Sequence, residues 1–144
     1  MKQSFNRKDF LVSAGKAGCA ALVAGTFSSL LQSCAGAKVF ATTADAAGKI
    51  AVPLTIFAES HSRIIRVEKL AYDILLVKKT EEQYNALLMR CTHQDWGLTA
   101  NARGLSCSLH GSTFDLDGQI TNGPASDALK KFKVNKQNDQ LIIS

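Results

Sequence analysis

The chain has 144 residues, 46% hydrophobic and 20% charged, with a formal net charge of +5 and four cysteines. That length suits one ordinary domain and not two. Apolar content is too high for a disordered chain, and no stretch reaches the roughly 20 uncharged apolar residues of a transmembrane helix.

The basic excess lies at the start. Lys2, Arg7, Lys8 and Lys16 stand against one acid, Asp9, and Ala17 to Leu31 then runs fifteen residues without a charge. A basic segment followed by an apolar run too short to span a bilayer has the form of an export signal over residues 1–33. The run ends Leu30-Leu31-Gln32-Ser33-Cys34. This resembles a bacterial lipobox, with an aliphatic residue three before the cysteine and a small one directly before it. The resemblance implies cleavage before Cys34, lipidation of Cys34 and a lipid anchor to the membrane, each buried CH₂ contributing about 0.8 kcal/mol. A generic signal peptide or an uncleaved anchor helix is the alternative. Cys19 follows Lys16-Ala17-Gly18, a poor lipobox, and reads as a small residue of the apolar run. Asn6-Arg7-Lys8-Asp9-Phe10-Leu11 resembles the twin-arginine export motif with Lys8 replacing the second arginine; the ordinary secretory route fits equally. The implied location is the cell envelope, facing the periplasm or the outer surface of the membrane. Beyond residue 33 there remain thirteen basic and eleven acidic residues, a net +2. Nucleic acid is therefore not an expected partner, since that needs a concentrated basic face.

Residues 34–49 are rich in Ala, Gly and Thr and read as a tether, within which Val39-Phe40 can pair as a short strand. Over residues 50–144 short β-rich runs follow one another: Ile50–Phe57, Arg63–Leu70, Ile74–Lys79, Tyr84–Arg90, Gly104–Leu109, Ser112–Leu116, Gln119–Thr121, Leu129–Asn135 and Gln140–Ile143. Turn residues separate them, Asp117-Gly118 and Asn138-Asp139 among them. No segment sustains a helical period. The fold class is all-β, a sandwich or barrel. Phe132 and Val134 alternate with Lys131 and Lys133, giving one buried and one wet face. Lys130, Lys131, Lys133 and Lys136 read as a solvated strand face, with a docking patch as the alternative.

The chemistry sits on two arms, Cys91-Thr92-His93 and Cys107-Ser108-Leu109-His110, separated by the thirteen residues Gln94 to Ser106. Two of the three histidines fall beside a cysteine; the third, His61, lies between serines in a turn and reads as a surface residue. Thiolates and imidazoles are soft or borderline metal ligands. A zinc finger places both cysteines on one arm and both histidines on the other, whereas here each arm supplies one of each. From the residues alone, an iron–sulfur cluster, a structural zinc ion and a disulfide stay open.

The pattern resembles that of Rieske proteins, whose [2Fe–2S] cluster has one iron held by two thiolates and the other by two imidazoles. Cys-Thr-His-Gln-Asp-Trp-Gly-Leu (91–98) is similar to the first loop of that family, and Cys-Ser-Leu-His-Gly-Ser-Thr-Phe-Asp (107–115) to the second. Asp117-Gly118 and Gly123-Pro124-Ala125 resemble the turn and the proline loop that cover the cluster. The resemblance spans roughly residues 50–144. It implies an antiparallel β-sandwich carrying a cluster-binding subdomain of two loops. It also implies a [2Fe–2S] cofactor held by Cys91, His93, Cys107 and His110, with both histidines on the outer iron. The implied potential lies between roughly −150 and +300 mV.

Neighbouring groups tune such a potential. Ser112 matches the serine that donates to a bridging sulfide in respiratory members. Phe114 stands where those members have a tyrosine that donates to a cysteine sulfur, and phenylalanine has no donor. Trp96 and Leu109 stand where they have a disulfide-forming pair. These departures resemble the ferredoxins that serve aromatic-ring dioxygenases and place the expected potential in the lower or middle part of the range. The implied function is single-electron transfer between redox partner proteins, as a tethered carrier or as a subunit of a larger oxidoreductase. A quinol-oxidising cytochrome bc assembly, a molybdenum oxidase or a dioxygenase system are the larger candidates. A ring-hydroxylating oxygenase also needs a mononuclear iron bound by two histidines and a carboxylate. With His61 the only spare histidine, that catalysis is not expected here.

Overall fold

The computed structural model describes residues 38–144. The chain divides into two units, Met1–Cys34 and Ala35–Ser144. The export signal, the lipobox and Cys34 all lie outside the described residues.

The strands in chain order are β1 (Val39–Thr42), β2 (Ile50–Pro53), β3 (Ser62–Val67), β4 (Ile74–Lys78), β5 (Tyr84–Leu88), β6 (Thr99–Asn101), β7 (Gly104–Ser106), β8 (Thr113–Asp115), β9 (Ile120–Asn122), β10 (Lys131–Phe132), β11 (Val134–Gln137) and β12 (Gln140–Ile143). They form a five-stranded sheet ordered β1-β3-β4-β5-β10, a three-stranded sheet β11-β12-β2 and a four-stranded sheet β6-β7-β8-β9. The all-β class and its separate loop-bearing sheet agree with the sequence reading.

Strand β4 explains the layering. Its run Ile74-Leu75-Leu76-Val77 is buried on both faces, as a continuous apolar strand must be. Ile74 and Leu76 point into a core shared with Val52, Leu141 and Ile143 of the three-stranded sheet. Leu75 and Val77 point the other way, into a core shared with Leu105, Phe114 and both Cys91 and Cys107. The five-stranded sheet is thus the common wall of two cores. Each fully buried leucine or isoleucine contributes about 1.5–3 kcal/mol.

Four boundaries differ from the sequence expectation. The ordered sheet begins at Val39 rather than Ile50, because β1 lies parallel on the edge of β3, Val39 opposite Ile64 and Thr42 opposite Val67. The short strand foreseen at Val39-Phe40 is therefore real, and half-buried Phe40 packs on the core. Residues assigned to the tether belong in part to the domain. The run Ile50–Phe57 is a strand only to Pro53, after which Leu54–Phe57 is a 3₁₀ turn. Proline has no N–H to continue a ladder, and Leu54 N–H donates instead to Asp139 O at 2.9 Å. The run Leu129–Asn135 divides between two sheets at Lys133, whose backbone exchanges both hydrogen bonds with Ser144 at 2.9 and 3.0 Å. The segment Gln94–Ser106, expected as a plain connection, contains β6 paired with β7, Thr99 opposite Ser106. At the tip of that hairpin a Cβ on Gly104 would stand 2.0 Å from Phe114 O, so only glycine lets β7 and β8 approach this closely.

Candidate metal centre

The two arms fold into the same turn. In the first loop Asp95 N–H donates to Cys91 O at 2.9 Å and Cys91 N–H donates to Trp96 O at 2.7 Å. In the second, Gly111 N–H donates to Cys107 O at 3.0 Å and Cys107 N–H donates to Ser112 O at 2.8 Å. Both turns therefore close four and five residues after the cysteine. Each is sealed by a pair one residue before and six after it: Arg90 bridges Gly97, and Ser106 pairs with Thr113. The fourth residue has positive φ in both, +51° at Asp95 and +80° at Gly111. Equal bond patterns from unlike sequences show that the chain builds one loop twice. The strand predicted over Gly104–Leu109 accordingly stops at Ser106, and Leu109 lies in the second turn.

These turns separate the donor atoms by depth. Cys91 and Cys107 are 1% and 3% exposed, side by side in the core and not joined as a disulfide. His93 and His110 are exposed, their rings 4.9 Å apart and inclined by 82°. Burial pushes the Cys107 thiol up, but the N–H groups of Leu109 and His110, with the neighbouring Cys91, outweigh it and hold the thiol below its ordinary range. That favours the thiolate, the form that binds metal. Among the described residues no three Cys, His, Asp or Glu side chains converge on one ion position. The arrangement is two donors and two donors. A buried cysteine pair and an exposed histidine pair fit a binuclear cluster that takes two residues per iron.

Of the other residues singled out from sequence, Ser112, Phe114, Trp96, Leu109 and Pro124 lie on the two loops or on segments next to them in the chain, and His61 and the lysines do not. Ser112 is fully buried, and its Oγ accepts from Ala125 N–H at 3.0 Å. Its hydroxyl proton has no protein acceptor among the described residues, which fits a sulfide acceptor. Phe114 is buried in the same core as both cysteines. Pro124 is exposed in the segment after β9. That segment is tied to both turns: Thr92 Oγ1 donates to Asp127 O at 2.7 Å, and Ala125 N–H reaches Ser112. Trp96 and Leu109 are 51% and 43% exposed, one on each histidine-bearing loop. His61 is exposed and remote in sequence from the site, its carbonyl accepting from Lys78 N–H at 2.8 Å. Of the four lysines in the strand-face cluster, Lys136 pairs with Glu82 at 2.5 Å and Lys130 lies 5.1 Å above the Phe132 ring. Both are engaged locally, as a solvated face would be.

Three side chains that the sequence did not single out also touch the loops. Tyr72 Oη donates to Asp95 O, Asn122 Nδ2 donates to Gly111 O at 3.1 Å, and Arg90 Nε lies 3.2 Å from Asp95 Oδ1. None belongs to a recognisable motif; Arg90 is next to Cys91 in the chain, whereas only the fold brings Tyr72 and Asn122 to the loops.

A family model for the Rieske [2Fe-2S] domain matches residues 56–133. No curated relative matches the sequence. Among solved structures, the chain is similar to the cyanobacterial plasma membrane Rieske protein PetC3 from Synechocystis PCC 6803, with 18% identity, TM-score 0.55 and coverage of 66% of this chain and 98% of that one. It is also similar to a chain in the complex of reduced oxygenase and oxidized ferredoxin in carbazole 1,9a-dioxygenase, with 18% identity, TM-score 0.51 and coverage of 67% and 92%.

Proposed function

The chain belongs to the Rieske [2Fe–2S] family, and we propose that it is a lipid-tethered single-electron carrier of the cell envelope in which Cys91 and Cys107 hold one iron and His93 and His110 the other. One observation carries the assignment: two identically bonded turns set a buried cysteine pair beneath an exposed histidine pair at a single edge. The bound cluster supplies reversible one-electron chemistry. The protein's own part is to keep the thiolate side dry and to present the imidazole side to a partner. Leu75, Leu87, Leu105 and Phe114 pack around the cysteines and exclude water there. His93 and His110, with exposed Trp96 and Leu109 on the same two loops, form the face through which an electron leaves or enters.

Attachment in this reading falls to Cys34. Among the described residues no helix is long and apolar enough to cross a membrane. With β1 beginning at Val39, four residues separate Cys34 from the sheet, a reach of at most about 18 Å from Cys34 to Val39. That is a short leash, and it raises the carrier's effective concentration for partners held at the same membrane.

Metal analysis of the purified protein tests the centre: iron and acid-labile sulfide at two per chain, as a [2Fe–2S] cluster requires, support it, and one zinc overturns it. Replacing any one of Cys91, His93, Cys107 or His110 by alanine abolishes the rhombic EPR signal of the reduced protein. Retention of the signal in any of the four removes that residue from the ligand set. Cys34→Ala releases the protein from the membrane fraction; a variant that stays bound refutes the lipid anchor.

A further inference from the structure

The two loops lack the cross-link that would hold them together, since Trp96 and Leu109 occupy the positions of a disulfide pair and no disulfide joins the described cysteines. Something else must keep both histidines in register. The equivalence of the two turns shows what. In each loop the fourth residue after the cysteine is the left-handed one, Asp95 or Gly111. In each, the carbonyl of that same residue accepts a hydrogen bond from a side chain outside the loop: Tyr72 Oη on Asp95 O, and Asn122 Nδ2 on Gly111 O at 3.1 Å. We propose that Tyr72 and Asn122 are paired positioning residues for the cluster, each fixing its loop by clamping the carbonyl of the left-handed residue and so orienting His93 or His110.

Each clamp is anchored in a different part of the frame. Tyr72 sits in the β3–β4 connection, which is held by the two-pronged Arg66–Asp73 pair at 3.1 and 2.8 Å and by Met89 N–H donating to Asp73 O at 2.9 Å. A cavity of about 490 Å³ lies between that connection and the base of the first loop, lined by Leu70, Tyr72, Met89, Gly97 and Leu98 among others. The concavity is open to solvent on the loop side, and beside the Met89–Asp73 backbone bond the tyrosine hydroxyl is a side-chain link from the connection to the loop itself. Asn122 ends β9 and also donates to Gly123 O at 3.0 Å, so the second loop is fixed to the segment that carries Pro124. The first loop has the greater need of its clamp. A left-handed conformation costs glycine little but strains another L-residue, with Asp among the more tolerant. Such strain persists only where surrounding contacts over-determine it.

This inference rests on the assignment of the four ligands, and its test is kept separate from theirs. Amide exchange, reduced-state EPR and cluster lifetime are compared in the cluster-loaded full chain and in the variants Tyr72→Phe, Asn122→Ala and Tyr84→Phe. Tyr84 is the matched control, because its hydroxyl donates to Glu81 O at 3.0 Å in the β4–β5 turn, away from the loops. Tyr72→Phe speeds exchange of the Asp95 amide about two- to tenfold, the range for one net hydrogen bond, and leaves the Gly111 amide alone. Asn122→Ala does the reverse. Both broaden the EPR g-values and shorten the cluster lifetime, and Tyr84→Phe does neither. Unchanged exchange at Asp95 and Gly111 with unchanged spectra overturns the proposal, as does an acceleration spread evenly over all the sheets. Iron and sulfide below two per chain in the unaltered protein would instead overturn the ligand assignment.

Discussion

Replacing Ser112 by alanine separates two roles that one buried hydroxyl fills. Ser112 is fully buried, five residues after Cys107, with its Oγ accepting from Ala125 N–H at 3.0 Å. Alanine removes that acceptor and leaves the Ala125 N–H unpaired in a dry site, which costs about 1–3 kcal/mol of local stability. The hydroxyl proton, which no described protein group accepts, is the second role. If it donates to a sulfide, the bond strengthens when the cluster gains an electron and becomes more negative. Taking the redox-dependent part as about 1–2 kcal/mol, and 1.4 kcal/mol as 59 mV for a one-electron couple, the potential falls by roughly 40–85 mV. Protein-film voltammetry of Ser112→Ala against the unaltered protein measures the second role, and amide exchange at Ala125 measures the first. A potential that stays within 10 mV or so, together with faster Ala125 exchange, would show that the serine only braces the proline segment. It would remove the hydroxyl from the tuning of the cluster.

Phe114 is buried beside both cysteines, so Phe114→Tyr places a donor within their core. A net bond of about 0.5–1.5 kcal/mol raises the potential by roughly 20–65 mV, and an unchanged or lowered potential refutes the argument. A chain beginning at Ile50 lacks β1 and the half-buried Phe40; it unfolds in urea with about 1–2 kcal/mol less stability than one beginning at Ala35. Equal midpoints would show that β1 contributes nothing. The Asp117 carboxylate is held below its ordinary range first by Lys79, at 2.9 Å, then by Asn85. A carboxyl lowered in the folded state stabilises above its unfolded value, and that contribution is lost as pH falls through the folded one. Lys79→Ala should move the Asp117 titration seen by NMR upward, and no movement would contradict the pairing.

The residues narrowed the chemistry of the site, and the resemblance to Rieske proteins chose among what they left open. A ligand must be a particular side chain, so the Cys-x-His and Cys-x-x-His arms stood out without a fold, whereas the readings of Ser112, Phe114, Trp96 and Leu109 came only with the resemblance. The strands were legible for a similar reason, since apolar runs and turn residues act locally. Their ends were not, because a ladder stops where its partner does: Pro53 closes β2, and Lys133 divides one expected strand between two sheets. Strand β1 was only half legible, because its sequence is short and weak and its partner β3 lies more than twenty residues away. The clamps were not legible at all. Tyr72 and Asn122 act through hydroxyl and amide groups on backbone carbonyls, and any residue has a carbonyl. No spacing marks such a bond in advance. It exists only because the β3–β4 connection and the end of β9 come to rest against two loops of the same shape.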